Sequence, residues 1–327
     1  MRVHGPMHRD RDRARKARRT AEPKALPVPR TGVPLIAVAH GTAEPAGIAT
    51  VGALLKRVAE LRPGLEIRVA YLSVAQPRLA DVLDEYASPP VAESGCLTGH
   101  GNNARITSAS AAGSGTGPAS GSGVVDEVAV LPLLLGSGYH VRHDIPSVLD
   151  TVLDAARDGL DRNRPPLRVH RCRPLGPDPL LADVLRDRLA QAGGTVFGTQ
   201  VVLAAAGSAT AAANADAVAM AGQLAERLRM PVRTAFISGP GSGAGPSIAE
   251  LLGRLARRSR PVAVATYLLA EGEFSRRIMD SATLAALEAE SRSPIRVAAP
   301  LGVHDQVARL VLRRYDSALA RAAGWQS

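Results

Sequence analysis

The sequence is poor in cysteine and has no long apolar run. It contains two cysteines, Cys96 and Cys172, in 327 residues, which is too few for a disulfide framework and lacks the spacing of a zinc site. Both are expected to be free thiols. No segment approaches the roughly 18 consecutive apolar residues that a membrane span needs, and the arginine-rich N-terminus lacks the apolar segment of a secretory signal. We therefore expect a cytoplasmic protein with no membrane partner.

The positive charge is concentrated in one segment. The net charge is +10, yet residues 1–30 alone hold ten Arg or Lys against three acidic residues, so the rest of the chain is close to neutral. A segment rich in Arg and Pro with little apolar content buries too little surface to offset its ordering entropy. We expect residues 1–32 to be a disordered basic tail, either a plain solvated leader or a contact for a polyanion. Nucleic acid is not the expected partner of the remaining chain.

Strand-like apolar runs alternate with amphipathic helical segments after the tail, a pattern that predicts an α/β fold with parallel sheets. In the first half the predicted strands are PLIAVAHG, IRVAYL, VAVLPLLL and LRVHRC. The third, Val128–Leu135, is apolar throughout, as a strand buried on both faces must be. Asp178 followed by Pro179 predicts the capped start of a helix.

The same succession of segments occurs twice. VVLAAAGS (201–208) matches LIAVAHGT (35–42), RTAFIS (233–238) matches RVAYLS (68–73), VATYLLAEGEF matches VLPLLLGSGYH, and APLGVHDQVARLVLRR matches RPLGPDPLLADVLRDR. Four ordered matches indicate an internal repeat. The first half has 31 extra residues between its second and third strands, where a Gly/Ser-rich stretch lies. We predict two tandem doubly wound units at 33–195 and 196–327, each a four-stranded parallel sheet with helices on both faces, and a flexible insertion at about 89–124.

The expected topology locates a binding site before any residue is chosen. In an open parallel sheet, ligands bind beyond the carboxyl ends of the strands where the strand order reverses, commonly between the first and third strands. In the first unit the loops at that point are AHGTAEP and GSGYHVRHDIP. Each contributes one histidine, His40 and His140, so the fold is expected to bring the two together at one cleft.

Structural roles for these side chains are also open. A single histidine at a strand end is usually a hydrogen-bonded core or rim residue. Asp144 is placed to cap the helix that has Pro146 in its first turn. His143 lies on the same side as His140 only if the segment is already helical.

The second half provides an internal control. Aligned on the flanking matches, His40 falls on Ala206 and His140 falls on Phe274. Both histidines are absent together, which favours one two-part site that is retained in the first half only.

LIAVAHGTAEPAG together with LPLLLGSGYHVRHDIP resembles the sirohydrochlorin chelatase family, the class II chelatases that insert a divalent ion into an early tetrapyrrole of sirohaem and cobalamin biosynthesis. The likeness covers about 33–88 and 125–327. It implies a lyase with sirohydrochlorin as its partner, Co²⁺ or Fe²⁺ as a substrate and no organic cofactor, and a metal site formed by His40 and His140. The family's first motif continues with Arg and Asp where this chain has Ala43 and Glu44, so one group expected to hold the substrate is missing.

The chemistry of insertion suits two imidazoles. The site must hold the ion weakly enough to release it, and two neutral histidines with open remaining positions do so for borderline divalent metals, whereas a full ligand set would trap the ion. Histidine also titrates near neutrality, so it can accept a proton from a pyrrole nitrogen. Glu44, four residues after His40, is a candidate proton acceptor or auxiliary ligand, or else a solvated acid at a helix start. Arg142 is a candidate for pairing with substrate carboxylates, although the scarcity of lysine makes a single arginine weak evidence.

Two other functions remain open at this point. SGPGSGAGPS (238–247) follows a strand and precedes a helix, as a phosphate-binding loop does, but it lacks the Lys-Ser/Thr ending. A metal or tetrapyrrole carrier on the same fold would keep both histidines without turnover. Imidazole ligands accept iron, cobalt and nickel alike, and the sequence leaves open whether the protein is a monomer or a homodimer.

Overall fold

The computed structural model describes residues 32–87, 105–106, 125–159, 166–194, 198–238, 245–258, 260–289 and 293–324. The expected tail at 1–32 falls almost wholly outside the described residues, and so does the expected insertion apart from 105–106. Most of the glycine-rich candidate loop, 239–244, is outside them as well.

The described residues form strands and helices in alternation. The first half contains β1 (Leu35–Ala39), α1 (Pro45–Leu61), β2 (Ile67–Tyr71), α2 (Leu79–Ala87), β3 (Arg105–Ile106), β4 (Glu127–Pro132), a π-helical turn (His140–Asp144) that continues into α3 (Ile145–Gly159), β5 (Arg168–Arg171) and α4 (Pro179–Gln191). The second half contains β6 (Gln200–Ala205), α5 (Ala211–Leu228), β7 (Val232–Phe236), α6 (Ile248–Ala256), β8 (Val262–Tyr267), α7 (Glu273–Glu288), β9 (Ile295–Val297) and α8 (Asp305–Ala322).

The strands form two sheets of matching order, β3-β2-β1-β4-β5 and β7-β6-β8-β9. All neighbours are parallel except β2 and β3, so the predicted pair of doubly wound α/β units is confirmed. The two-residue β3 is an addition that comes from the predicted insertion and pairs antiparallel with the edge of β2. An edge strand offers unpaired backbone groups to any nearby segment, and two residues are too few to show a periodic pattern.

Helices cover both faces of each sheet, and the inner helices form one shared layer. The outer helices α2 and α3 pack together beside the first sheet, and α6 and α7 pack together beside the second. Between the sheets lie α1, α4, α5 and α8, whose apolar faces form a single buried cluster with residues of β1, β4, β6 and β8. Strands covered on both faces must be apolar on both, and β1, β2 and β8 are buried along their whole length.

The two halves interlock through their last helices. Although α4 belongs to the first half by sequence, it packs on α5 and β8, and α8 packs on α1, β4 and β5. Tyr315 of α8 is 1% exposed, and its hydroxyl donates to the backbone oxygen of Val33 at 2.7 Å. Asp178 accepts from the Leu180 amide at 3.0 Å, which confirms the predicted cap of α4, and it also pairs with Arg314 of α8 at 3.1 Å. The division into 33–195 and 196–327 stays a prediction, since the packing joins the halves into one core.

Two further expectations concern the cysteines and the membrane. Cys172 is a free thiol, and burial raises its pKa to about 12, so it stays protonated and unreactive. Cys96 lies outside the described residues. In the part of the chain that the structure describes, every helix is too short or too polar to cross a membrane.

Candidate metal site

A cleft of about 600 Å³ opens between the two halves. It lies where the strand order reverses in each sheet, between β1 and β4 and between β6 and β8, which is where an open parallel sheet binds its ligands. Its walls are largely apolar and come from both halves, with His40, Leu133 and His140 on one side and Ala206, Tyr267 and Phe274 on the other. None of the described residues that line it is Lys or Arg.

The structure brings His40 and His140 together in this cleft. His40 follows the last residue of β1, and His140 opens the π-helical turn that follows β4. Their ring centroids are 4.5 Å apart, with an angle of 40° between the planes. Side chains 100 residues apart in sequence therefore meet as the strand order predicts, while their role as metal ligands stays a prediction.

The orientation of His40 is set by Ser73, two residues after β2. The Ser73 amide and hydroxyl both donate to the backbone oxygen of His40, at 2.9 and 3.0 Å. The Ser73 Oγ also lies 3.3 Å from His40 Nδ1. The tautomer with its hydrogen on Nδ1 would donate to this oxygen and keep the lone pair on Nε2. The close approach requires Gly41, whose φ is +98° and where a β-carbon would collide with the Ser73 carbonyl.

His140 is oriented by Asp144, whose carboxylate accepts from Nδ1. The proposed capping role of Asp144 is wrong, because the helical segment begins earlier, at His140, and Asp144 lies inside it. A carboxylate that accepts from one ring nitrogen fixes the tautomer and leaves the other nitrogen as a ligand, as is usual for metal-binding histidines. Single π-turns are also frequent at functional sites. His143 turns aside, and its ring packs against Tyr139 at 4.7 Å.

The second half supports the loop that carries His140. The buried Tyr267 hydroxyl donates to the backbone oxygen of Leu135 at 2.9 Å, and the Asp216 carboxylate accepts from the Ser137 amide at 2.7 Å. Arg142, the predicted substrate-binding residue, is exposed and donates through Nε to the oxygen of Ser137 at 2.9 Å. The second half therefore helps to position the candidate ligand of the first half.

Glu44, the predicted proton acceptor, is engaged in an ion pair. It is the N-terminal flanking residue of α1, makes no capping hydrogen bond with its side chain, and pairs instead with Arg276 of α7 at 2.7 Å. The hydrogen bond and charge of Arg276 lower the pKa of Glu44, so the carboxylate is a weaker base while the pair is intact. Sequence reasoning missed this partner, which lies 232 residues away.

The pKa of His40 is lowered from its usual value of 6.5, first by partial desolvation of its ring and then by the charge of the neighbouring His140. A lowered pKa keeps the imidazole neutral, which is the form that binds a metal. Within the described ranges, no group of three or more His, Cys, Asp or Glu side chains is arranged to hold an ion. The site thus offers two histidines and leaves other coordination positions open.

Comparison with known proteins is consistent with this geometry. A family model described as CbiX matches residues 34–93, 119–192 and 200–318, which is most of the chain. The chain belongs to the CbiX family. The resemblance to the sirohydrochlorin chelatases seen in the two histidine motifs is thereby confirmed.

Solved chelatase structures share the fold of this CbiX-family chain. It is similar to SirB from Bacillus subtilis with Fe³⁺, with a TM-score of 0.65, 19% identity and coverage of 89% of this chain and 96% of that one. It is also similar to the sirohydrochlorin chelatase SirB from Bacillus subtilis subspecies spizizenii in complex with cobalt. The TM-score is 0.61 and the identity 16%, over 89% of this chain and 96% of that one. A third similar structure is CbiX, the terminal enzyme for biosynthesis of siroheme in denitrifying bacteria. The TM-score is 0.51 and the identity 21%, over 90% of this chain and 100% of that one. No curated protein sequence matches the chain. At these identities the solved structures establish the fold alone.

Proposed function

We propose that this protein is a sirohydrochlorin chelatase that inserts Co²⁺ or Fe²⁺ into the tetrapyrrole, in the biosynthesis of sirohaem or cobalamin. The observation that carries the proposal is the convergence of His40 and His140, with ring centroids 4.5 Å apart, at the point where a parallel sheet binds ligands. Membership of the CbiX family supports the reaction class. The Fe³⁺ and cobalt in the structures of SirB support a site for an ion of this kind.

In this mechanism both imidazoles bind the ion through Nε2. Each Nδ1 has a partner, Ser73 in one case and Asp144 in the other, which leaves Nε2 of each ring for the ion. Two neutral ligands without a carboxylate in the coordination shell hold a borderline divalent ion loosely. The ion can then pass to the four nitrogens of the macrocycle, which enters between the apolar walls.

The proton balance involves the same two residues. Insertion of M²⁺ displaces two pyrrole protons, and each imidazole that gives up the ion regains a lone pair able to accept one of them. Because the pKa of His40 is lowered, this residue returns its proton to water readily and becomes neutral for the next ion. Glu44 has a lesser role as an auxiliary acceptor, since Arg276 already occupies it, and Arg142 pairs with a carboxylate on the rim of the substrate.

The second half, 196–327, is a degenerate repeat that forms the opposite wall of the cleft. Ala206 and Phe274, at the positions that align with the two histidines, both line the same cavity. An apolar side chain at these positions provides a surface for a flat ring and no second metal site.

An absorbance assay with metal-free sirohydrochlorin and Co²⁺ or Fe²⁺ tests the proposal. The wild type is expected to insert the ion, and His40→Ala and His140→Ala are each expected to lose about 100-fold or more in rate. The control is His143→Ala, because His143 packs on Tyr139 and is not among the residues that line the cleft. Insertion at wild-type rates by both variants would refute the assigned site, and ring and metal binding without turnover by the wild type would identify a carrier.

A further inference from the structure

An ion pair on the rim of the cleft joins the two halves. Arg276, near the start of α7, contacts Glu44 of the first half at 2.7 Å and Glu273 of its own helix at 3.0 Å. The lining residues Gly272 and Glu273 adjoin it on one side, and Thr42 and Gly47 flank Glu44 on the other. The ion pair therefore lies beside residues that line the cleft.

The cleft itself offers little to a polyanionic ligand. Its described lining residues include the carboxylates of Glu271 and Glu273 but no Lys or Arg. A planar macrocycle that carries carboxylates around its edge therefore needs cations at the rim. Arg142 provides one beside His140, and Arg276 provides another beside the loop that follows His40.

The internal repeat relates these two arginines. The alignment that sets His140 opposite Phe274 also sets Arg142 opposite Arg276, because each arginine follows its partner position by two residues. The second half has thus lost both histidines and kept the arginine. The repeat places one guanidinium in each half, at equivalent positions around one cleft, an arrangement that suits a ring with carboxylates on opposite edges.

We propose that Arg276 binds a peripheral carboxylate of the tetrapyrrole and exchanges Glu44 for that carboxylate as the ring enters; this assignment rests on the proposed function. The Arg276 side chain is 52% exposed and that of Glu44 is 38% exposed. An ion pair with this solvent exposure contributes little to stability and is easily broken. A substrate carboxylate can engage the same planar fork in two parallel hydrogen bonds. Arg276 is thus a substrate-positioning residue supplied by the half that lacks the histidines.

The test is the equilibrium dissociation constant of metal-free sirohydrochlorin, measured by absorbance or fluorescence titration without metal. Arg276→Ala is expected to weaken binding about tenfold, with partial recovery in Arg276→Lys. Glu44→Gln removes the competing anion and is expected to tighten binding about two- to fourfold. With the methyl-esterified ring, which has no free carboxylate, Arg276→Ala is expected to bind as the wild type does.

Arg57→Ala is the matched control. Arg57 also pairs across the two halves, with Asp305 at 2.8 Å, and also has an acidic partner on its own helix, Glu60 at 3.0 Å. Its neighbours in sequence do not line the cleft, whereas Ser275, next to Arg276, does. Equal effects of the Arg57 and Arg276 variants would overturn the assignment, as would an Arg276→Ala protein of normal thermal stability that binds the ring like wild type. Unchanged binding by Glu44→Gln would overturn the exchange. A wild-type protein that binds no ring at all would contradict the proposed function and the assignment with it.

Discussion

Replacing Asp144 with Asn probes the orientation of His140 without changing the size of the side chain. The carboxylate accepts from His140 Nδ1, which fixes the tautomer and makes Nε2 a better donor to a metal. Loss of such an outer partner costs about 10- to 100-fold in metal affinity, or about 1.4–2.8 kcal/mol. Since the two side chains are 37% and 40% exposed, solvent screening places the expected loss near the lower limit, about tenfold.

Calorimetric titration of the metal-free protein with Co²⁺ measures this loss. The control is Asp150→Asn on the same helix, where Asp150 pairs with Arg171 at 2.9 Å and is 64% exposed; its Co²⁺ affinity is expected to equal that of the wild type. The reasoning would be refuted if Asp144→Asn bound Co²⁺ as tightly as the wild type, or if both variants lost affinity equally. Circular dichroism melting verifies that the two variants remain folded.

Further predictions concern pH, backbone geometry and the support of the loop. In metal-free protein the NMR titration midpoint of His40 is expected below 6.5, so the residue is neutral above that midpoint and becomes protonated as the pH falls through it. His140→Ala should move the midpoint back toward 6.5. A midpoint at or above 6.5 in the wild type would contradict the argument from desolvation. Gly41→Ala forces a β-carbon into a backbone oxygen at positive φ and should cost at least about 2 kcal/mol in denaturant unfolding, whereas Gly52→Ala, in an open helical position, should stabilise by up to about 1 kcal/mol. Tyr267→Phe deprives the half-buried Leu135 carbonyl of its donor and should lower the free energy of unfolding by about 1 kcal/mol. An unchanged value would show that the hydroxyl does not support the loop.

The sequence predicted the sheets well because their strands are apolar on both faces. The apolar strand runs, and the four segments that match between the halves, predicted two units and the point where the strand order reverses. That topology was sufficient to predict that His40 and His140 lie close together. The repeat did not predict that α4 and α8 each pack on the opposite half, since an amphipathic pattern shows that a helix has a buried face and not which sheet covers it. Strand β4, the third strand predicted from the sequence, ends at Pro132, three residues before the predicted end at Leu135. The apolar residues that follow it line the cleft.

The partners of the two histidines were harder to predict. The four-residue spacing of His140 and Asp144 permits a contact within one helical turn, but Pro146 favoured a later helix start and a capping role for Asp144. Ser73 and Arg276 reach the site from distant elements, so local patterns carry no sign of them. The repeat alignment could have pointed to Arg276, because it places this residue opposite Arg142.

X-ray absorption spectroscopy of the Co²⁺-loaded protein tests the central claim most directly, because it counts imidazole ligands. The account predicts two imidazole nitrogens in the wild type, with oxygen from water in the remaining positions, and one imidazole in each of His40→Ala and His140→Ala. The same imidazole count in wild type and both variants would show that the ion binds elsewhere and would contradict the account.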